Sequence, residues 1–375
     1  MKELEYPFDA AYIIKKRKSL KKALLADGTS RIRKKIAVFG GSTTSDIVKT
    51  LELFLLDAGI EPEFYESEYA QYFQDAMFPD ETLLSFKPDI VFIHTTNRNV
   101  TNWPEMTDTT EQIDEKLHTE INRFTAMWKS IAEKFHCPII QNNFEMPLYR
   151  LLGSRDAWDI HGRTNFLTRL NEAFYAYARE NESFYIHDLN FVSADYGLKE
   201  WSNPLFWNMY KYAMCFEAIP SFAFSVSHII KSIFGKNKKA LALDLDNTLW
   251  GGVVGDDGVD GIEIGQETGV SQSYYEFQTY VKQLKSLGIV LTVCSKNDHE
   301  NAIAGLNHPE GALRPDDFVI IKANWENKDR NIAETAAELN ILPDSIVFAD
   351  DNPAEREIVR TQIKGAAIPL SLIHI

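Results

Sequence analysis

Covalent and metal staples are scarce in this chain. Its three cysteines, Cys137, Cys215 and Cys294, lie far apart among 375 residues. An odd, sparse set builds neither a disulfide framework nor a cysteine zinc cluster, and it fits a reducing cytoplasm. Positive charge is short as well: 39 Lys and Arg against 54 Asp and Glu leave a net charge of −15. Polyanion binders are usually basic, so nucleic acid is not an expected partner. Long apolar runs are missing. None reaches the roughly 18 residues of a membrane span, and the nearest, from Ala213 to Phe234, is broken by Glu217, Pro220, His228 and Lys231. The opening MKELEYPFDAAYIIKKRKS has no apolar stretch before a small-residue cleavage site, so neither a signal peptide nor a membrane is expected. The N-x-S/T matches at Asn99 and Asn181 then carry no weight. There is no fixed-period repeat and no low-complexity linker.

What is present suits a folded α/β protein. The chain is 45% hydrophobic and 25% charged, enough apolar material for a large core. Its length suits two or three domains of about 100–200 residues. Short apolar runs alternate with helical patterns. One series of candidate strands is Ile36–Phe39, Pro62–Tyr65, Ile90–His94, Pro138–Gln141 and Phe184–His187. A second is Leu241–Leu245, Ile289–Cys294, Phe318–Ile321, Ser345–Ala349 and Ala366–Leu370. Between them, Ser271–Leu287 places Tyr274, Phe277, Val281, Leu284 and Leu287 on one helical face. Strand–helix–strand alternation predicts parallel sheets covered by helices on both sides. Two series predict two α/β domains, residues 1–235 and 236–375, with the break in FGKNKK (Phe234–Lys239). A basic amphipathic helix is expected near Lys15–Lys22, where its charge could steer an acidic partner or simply face solvent.

The sharpest chemical signal is LALDLDNTLW, Leu241–Trp250. A hydrophobic strand runs into Asp244 and Asp246, two carboxylates spaced i, i+2 where ligands bind in open parallel sheets. One can attack phosphorus while the other handles a proton. A carboxylate facing a phosphate dianion needs a divalent cation, and Mg²⁺ binds both. Further along, Ser295-Lys296-Asn297 follows a strand and offers a hydroxyl and N–H groups to phosphate. Lys328 precedes a helix and can act as a point cation. Asp350 and Asp351 end the next strand, and Asn352, Pro353 and Glu355 start a new helix. Between Asp246 and the Ser271–Leu287 helix, only Leu249–Val270 is left for a cap. That predicts a small hairpin flap and an open site.

In this order the four pieces resemble the haloacid dehalogenase (HAD) superfamily across Ala240–Leu370. The words LDLDNTLWGGVVGDDGVDGIEIG, VCSKND, NWENKDRNI and VFADDNPAERE are similar to those of its subfamily IIIC, the FkbH-like proteins. The resemblance implies a Rossmannoid domain with a minimal cap. It implies Asp244 as nucleophile and Asp246 as acid/base, with Ser295 and Lys328 binding phosphate. It also implies Mg²⁺ held by Asp244, Asp350 and the Asp246 backbone carbonyl, with Asp351 supporting. FkbH-like proteins are associated with drawing a glyceryl unit from 1,3-bisphosphoglycerate, removing phosphate, and loading it on an acyl carrier protein. Such chemistry could use a thiol way station, for which Cys294 is the candidate, a buried strand-end residue being the alternative. The rival readings are a plain phosphomonoesterase acting on a sugar phosphate or other metabolite, and a non-catalytic carrier-docking module. The chain stops at Ile375, soon after the last expected strand, where FkbH-like proteins often continue into a further domain.

In the first half, Gly40-Gly41-Ser42-Thr43-Thr44, then His94-Thr95-Thr96-Asn97, then Asn142-Asn143 each follow a candidate strand. This resembles the SGNH/GDSL hydrolases and implies an SGNH/flavodoxin-like fold, with Ser42 and Asn97 as candidate site residues. The Asp-x-x-His that would supply a base is absent from residues 1–235. The nearest substitutes, Asp159 with His161 and His187 with Asp188, have the wrong spacing. An accessory domain is therefore expected.

Overall fold

A computed structural model describes residues 1–369. These form two compact units, Met1–Gly235 and the part of the chain from Lys236 onward, and each holds one all-parallel sheet. The chain is thus α/β throughout.

In the first unit, β1 (Ile32–Gly40), β2 (Ile60–Glu66), β3 (Ile90–His94), β4 (Ile139–Asn142) and β5 (Phe184–His187) lie in the order β2-β1-β3-β4-β5. Strand periodicity splits β1 and β3 between two cores. Ile36, Val38, Ile90 and Phe92 face a cluster with α1 (Ala10–Ala26) and α2 (Ser45–Asp57), while Ala37, Phe39, Val91 and Ile93 face one with α3 (Thr110–Phe135) and α4 (Arg163–Glu180). Burial on both faces is why β3, IVFIH, carries no alternation. β1 starts four residues before the expected Ile36. Ile32–Lys35 pair only with β2, whereas pairing to β3 begins at Ile36, so basic residues are tolerated there. α1 buries Ile13, Leu20 and Leu24, and ties Arg17 to Asp46 (2.6 Å) and Lys21 to Glu52 (2.7 Å).

In the second unit, β6 (Ala240–Leu243), β7 (Val290–Ser295), β8 (Ile320–Ala323) and β9 (Ile346–Ala349) take the order β8-β7-β6-β9. Leu241, Leu243, Leu291 and Val293 face one core; Ala240, Ala242 and Cys294 face the other. α5 (Gly269–Ser286) crosses from β6 to β7, opened by a Thr268 capping box. α6 (His299–Leu306), α7 (Lys328–Glu338) and α8 (Pro353–Gln362) follow the later strands. Three expectations shift. The third strand begins at Ile320, because Pro315–Asp317 forms a 3₁₀ turn whose Pro315 carbonyl takes the Phe318 N–H. The expected last strand is a single bridge, Ala367 to Val347, and its Leu370 lies outside the described residues. The expected hairpin flap is also not a hairpin. One antiparallel bridge, Gly251 to Glu263, closes a loop that holds a helical turn (Val254–Asp257) and a 3₁₀ turn (Val259–Gly261).

Candidate active site

In the second sheet β6 has β7 and β8 on one side and β9 on the other. The chain order reverses between β6 and β9, and ligands bind at the strand ends beside such a point. Asp244 follows β6 and Asp350 follows β9. The Asp244 N–H donates to the Ala349 carbonyl (3.0 Å), extending the β6–β9 ladder by one residue and setting the two carboxylates side by side. Asn247 makes the turn that follows. It has φ 53°, a left-handed conformation that asparagine tolerates. Its Oδ1 accepts from the Gly252 N–H (3.0 Å). Thr248 Oγ1 accepts from the Asp351 N–H (3.2 Å), joining the first motif to the last.

Lys328 opens α7 and reaches into this point. Its Nζ lies 3.0 Å from Asp244 Oδ1 and 2.5 Å from Asp350 Oδ2, and it is 3% exposed. Burial alone would lower its pKa; the two carboxylates outweigh burial and raise it, so it stays charged. Burial raises the pKa of Asp244. Burial and then the like charge of Asp244 raise that of Asp350, whose Oδ1 accepts from the Asn352 N–H (2.8 Å). Ser295, at the end of β7, sets its hydroxyl near Asp244, where it favours the charged carboxylate. Arg356 donates to the carbonyls of Asp350 (2.6 Å) and Asp351 (2.7 Å), and Lys296 pairs with Glu355 (2.7 Å), fixing the neighbouring loops.

Asp244, Asp350 and Asp351 each bring one carboxylate oxygen within 4.8 Å of the others. Lys328 pairs with Asp244 and Asp350, which are buried, while Asp351 is exposed, so the three carboxylates outnumber the one ammonium in ion-pair contact with them. An all-oxygen, anionic set of this size fits a small hard cation such as Mg²⁺.

The structure therefore brings Asp244, Ser295, Lys328, Asp350 and Asp351 together. The Asp246 carboxylate is not part of the acidic group. It is held apart by Trp250 Nε1 (2.9 Å), the Val254 N–H (3.0 Å) and Asn297 Nδ2 (2.9 Å). At Asp246 the candidate ligand is therefore the backbone carbonyl, beside the carboxylates of Asp244, Asp350 and Asp351.

The thiol expectation at Cys294 needs correction. Cys294 is 1% exposed and faces the Ile332 and Phe348 core, on the opposite side of β7 from Val293. Its Sγ contacts the Lys328 carbonyl (3.6 Å), and burial pushes its pKa up to about 12. A nucleophilic thiol needs the reverse environment. Asn297 lies in the loop after β7, where it is buried and bonded to Asp246.

In the first unit, Ser42 is buried at the end of β1 and its Oγ has no hydrogen-bond partner, so no base is poised on it. Asn97 does not join it. Its N–H donates to Glu145 Oε2 (3.2 Å) and its Nδ2 to the Glu145 carbonyl (3.3 Å). The neighbouring Asn99 holds the loop instead, donating from Nδ2 to the Gly41 carbonyl (2.9 Å). The substitute bases are engaged elsewhere. His161 bonds Asp159 (2.9 Å) and the Asp108 carbonyl (3.0 Å). His187 is buried between Asn142 (2.8 Å) and Ser225 (3.0 Å), and Asp188 caps a helix at Phe191 (3.1 Å). Burial drives His187 down to about 3, too weak a base near neutral pH. Among the described residues, no helix is long and apolar enough to cross a membrane.

Comparison with known proteins places this geometry in context. A family model described as "FkbH, N-terminal domain" matches residues 35–231. The solved N-terminal part of the protein BF1531 from Bacteroides fragilis, described as containing a phosphatase domain and complexed with Mg, is 31% identical. The match covers 94% of this chain and 93% of that one, with a TM-score of 0.85. A protein of the G-D-S-L family from Desulfitobacterium hafniense DCB-2 matches at 20% identity, over 52% of this chain and 99% of that one. Its TM-score is 0.34. No curated protein matches the chain.

Proposed function

Since the chain belongs to the FkbH family, we propose that its second unit performs HAD-type, Mg²⁺-dependent phosphoryl chemistry through Asp244. The observation that carries this reading is the Lys328 bridge between Asp244 and Asp350, with Asp351 beside them, at the point where strand order reverses. The Mg complex of the Bacteroides protein supports the choice of cation. Asp244, Asp350 and Asp351 would hold it. When bound, the cation neutralises charge on the phosphoryl oxygens and on the attacking carboxylate.

The residues of the chain supply the rest. Asp244 attacks phosphorus in line: its Oδ–P bond forms as the bond from phosphorus to the leaving oxygen breaks, giving an aspartyl-phosphate. Lys328 balances the developing charge, and Ser295 holds a phosphoryl oxygen. Asp246 gives a proton to the leaving oxygen, then takes one from the water that hydrolyses the intermediate.

At the finer level, we assign the unit to glyceryl transfer: a glyceryl group from 1,3-bisphosphoglycerate is loaded on an acyl carrier protein and dephosphorylated. The small excursion between Gly251 and Glu263 supports it, because a short loop leaves room for a substrate tethered to a protein. With Cys294 buried, the carrier's own thiol attacks the acyl carbon and releases phosphate, and Asp244 removes the remaining phosphate monoester. The first unit serves as an SGNH-like accessory domain. A plain phosphomonoesterase is the second reading, favoured by the phosphatase description of the Bacteroides relative.

The test is intact mass of phosphopantetheinylated carrier proteins after incubation with the protein, Mg²⁺ and 1,3-bisphosphoglycerate. A glyceryl or phosphoglyceryl mass shift is expected. Phosphate release without any shift would replace transfer by simple hydrolysis.

A further inference from the structure

Asp246 is held by more contacts than a turn needs. Oδ1 accepts two donors, Trp250 Nε1 (2.9 Å) and the Val254 N–H (3.0 Å). Oδ2 accepts one, Asn297 Nδ2 (2.9 Å), reached from 51 residues away. A carboxylate oxygen accepts about two hydrogen bonds. Oδ1 is therefore filled and Oδ2 keeps one free lone pair. The indole cannot swing away: Trp250 is 1% exposed and packs so tightly on Gly305 that a Cβ there would lie 2.7 Å from its ring. The two Oδ1 donors fix where that oxygen sits. Rotation of the carboxylate about Cβ–Cγ is intrinsically soft and carries both oxygens together, so the Asn297 bond to Oδ2 restrains that rotation from the opposite side.

Asn297 is itself fixed. It is 4% exposed, and its Oδ1 accepts from the Asp298 N–H (2.9 Å). A backbone N–H only donates and a carboxylate only accepts, so the amide has one orientation. It also lies two residues beyond Ser295, in the loop that would grip the phosphoryl group.

We propose that Asn297 is a positioning residue that aims Oδ2 of Asp246 at the leaving-group oxygen. This rests on the reading of Asp244 and Asp246 given above. In the first step the Oδ2–H bond breaks as the leaving oxygen gains that proton. In the second, Oδ2 takes a proton from the attacking water.

The test compares two substrates that differ in their need for that proton: 4-nitrophenyl phosphate, whose phenolate leaves unaided, and sn-glycerol 3-phosphate, whose alkoxide does not. General acid catalysis contributes roughly 10²–10⁴-fold, so a misaimed acid in Asn297→Ala costs about 10–100-fold in kcat/KM with the alkyl ester. The aryl ester loses less than about threefold, on the same argument. The near-isosteric Asn297→Asp keeps the bond to the Asp298 N–H and sets a like charge against Asp246, so it shows the same substrate dependence if the alanine variant folds poorly. Equal losses on both substrates overturn the proposal. Asp244→Asn separates the layers. If it is silent on both esters while the Asn297 losses are equal, only the positioning role fails. If it keeps turnover, or the parent protein cleaves neither ester, the underlying reading fails with it.

Discussion

Replacing Lys328 by methionine isolates the electrostatics of the candidate site. The side chains are similar in length, so the apolar stem is largely kept and the ammonium is lost. That ammonium sits 3.0 Å from Asp244 and 2.5 Å from Asp350, almost fully buried. Removing one partner of a buried ionic cluster typically costs about 3–5 kcal/mol, because the remaining charges stay desolvated. For a unit of this size that is a drop on the order of 10–20 °C in midpoint. The loss has a specific signature. In the variant both carboxylates have folded-state pKa values above their unfolded ones, since burial and mutual repulsion raise them and no cation opposes. The folded state then binds more protons than the unfolded, so stability rises as pH falls from neutrality toward the ordinary carboxylate range. Mg²⁺ should also stabilise the variant more than the parent; for either protein a hundredfold excess over its Kd contributes about 2.7 kcal/mol if the unfolded chain does not bind. The assay is thermal unfolding of both proteins in chelator and in Mg²⁺, at neutral and mildly acidic pH. A variant within about 1 kcal/mol of the parent in chelator, with no larger response to Mg²⁺, would refute the reasoning, since unpaired buried charge must cost more.

Three further outcomes follow. Asp351→Asn keeps the fold and weakens Mg²⁺ binding about tenfold by calorimetry, because one anionic oxygen of the three is lost; unchanged affinity would remove Asp351 from the site. Cys294→Ala retains turnover within about threefold, and the native thiol resists alkylation at neutral pH until the protein unfolds, since burial holds its pKa near 12; rapid labelling of native Cys294 would restore it as a candidate thiol way station. Ser42→Ala leaves phosphate release unchanged, and abolished release would give the first unit a direct part in the chemistry.

The sequence made the strand ends legible because buried strands followed by acidic turns are a local pattern. Asp244 and Asp350 each sit one residue past an apolar run, and parallel pairing of those runs suffices to bring them together. Lys328 was legible as a helix start. Contacts decided by distant chain were not. Asn297 looks like any loop asparagine until β7 lies beside β6 and its amide meets Asp246. Asn97 and Asn99 are indistinguishable by pattern, and only the course of the loop after β3 brings Asn99 to Gly41. The excursion after Trp250 carried glycines and aspartates that suit a hairpin. It forms helical turns instead, because Asp257 Oδ2 accepts from the Val253 N–H (2.8 Å) and ties the segment back on itself. Cys294 could be judged from alternation alone, which sets it on the opposite face from Val293 in β7.

The most direct test of the central claim is chemical trapping of the intermediate. The protein would be incubated with Mg²⁺ and a phosphate monoester, then reduced with borohydride, which converts an aspartyl-phosphate to homoserine. Peptide mass spectrometry is expected to find that conversion at residue 244, dependent on substrate and absent in Asp244→Asn. Phosphate release with Asp244 unmodified, or with an acyl-phosphate trapped at another residue, would contradict the account.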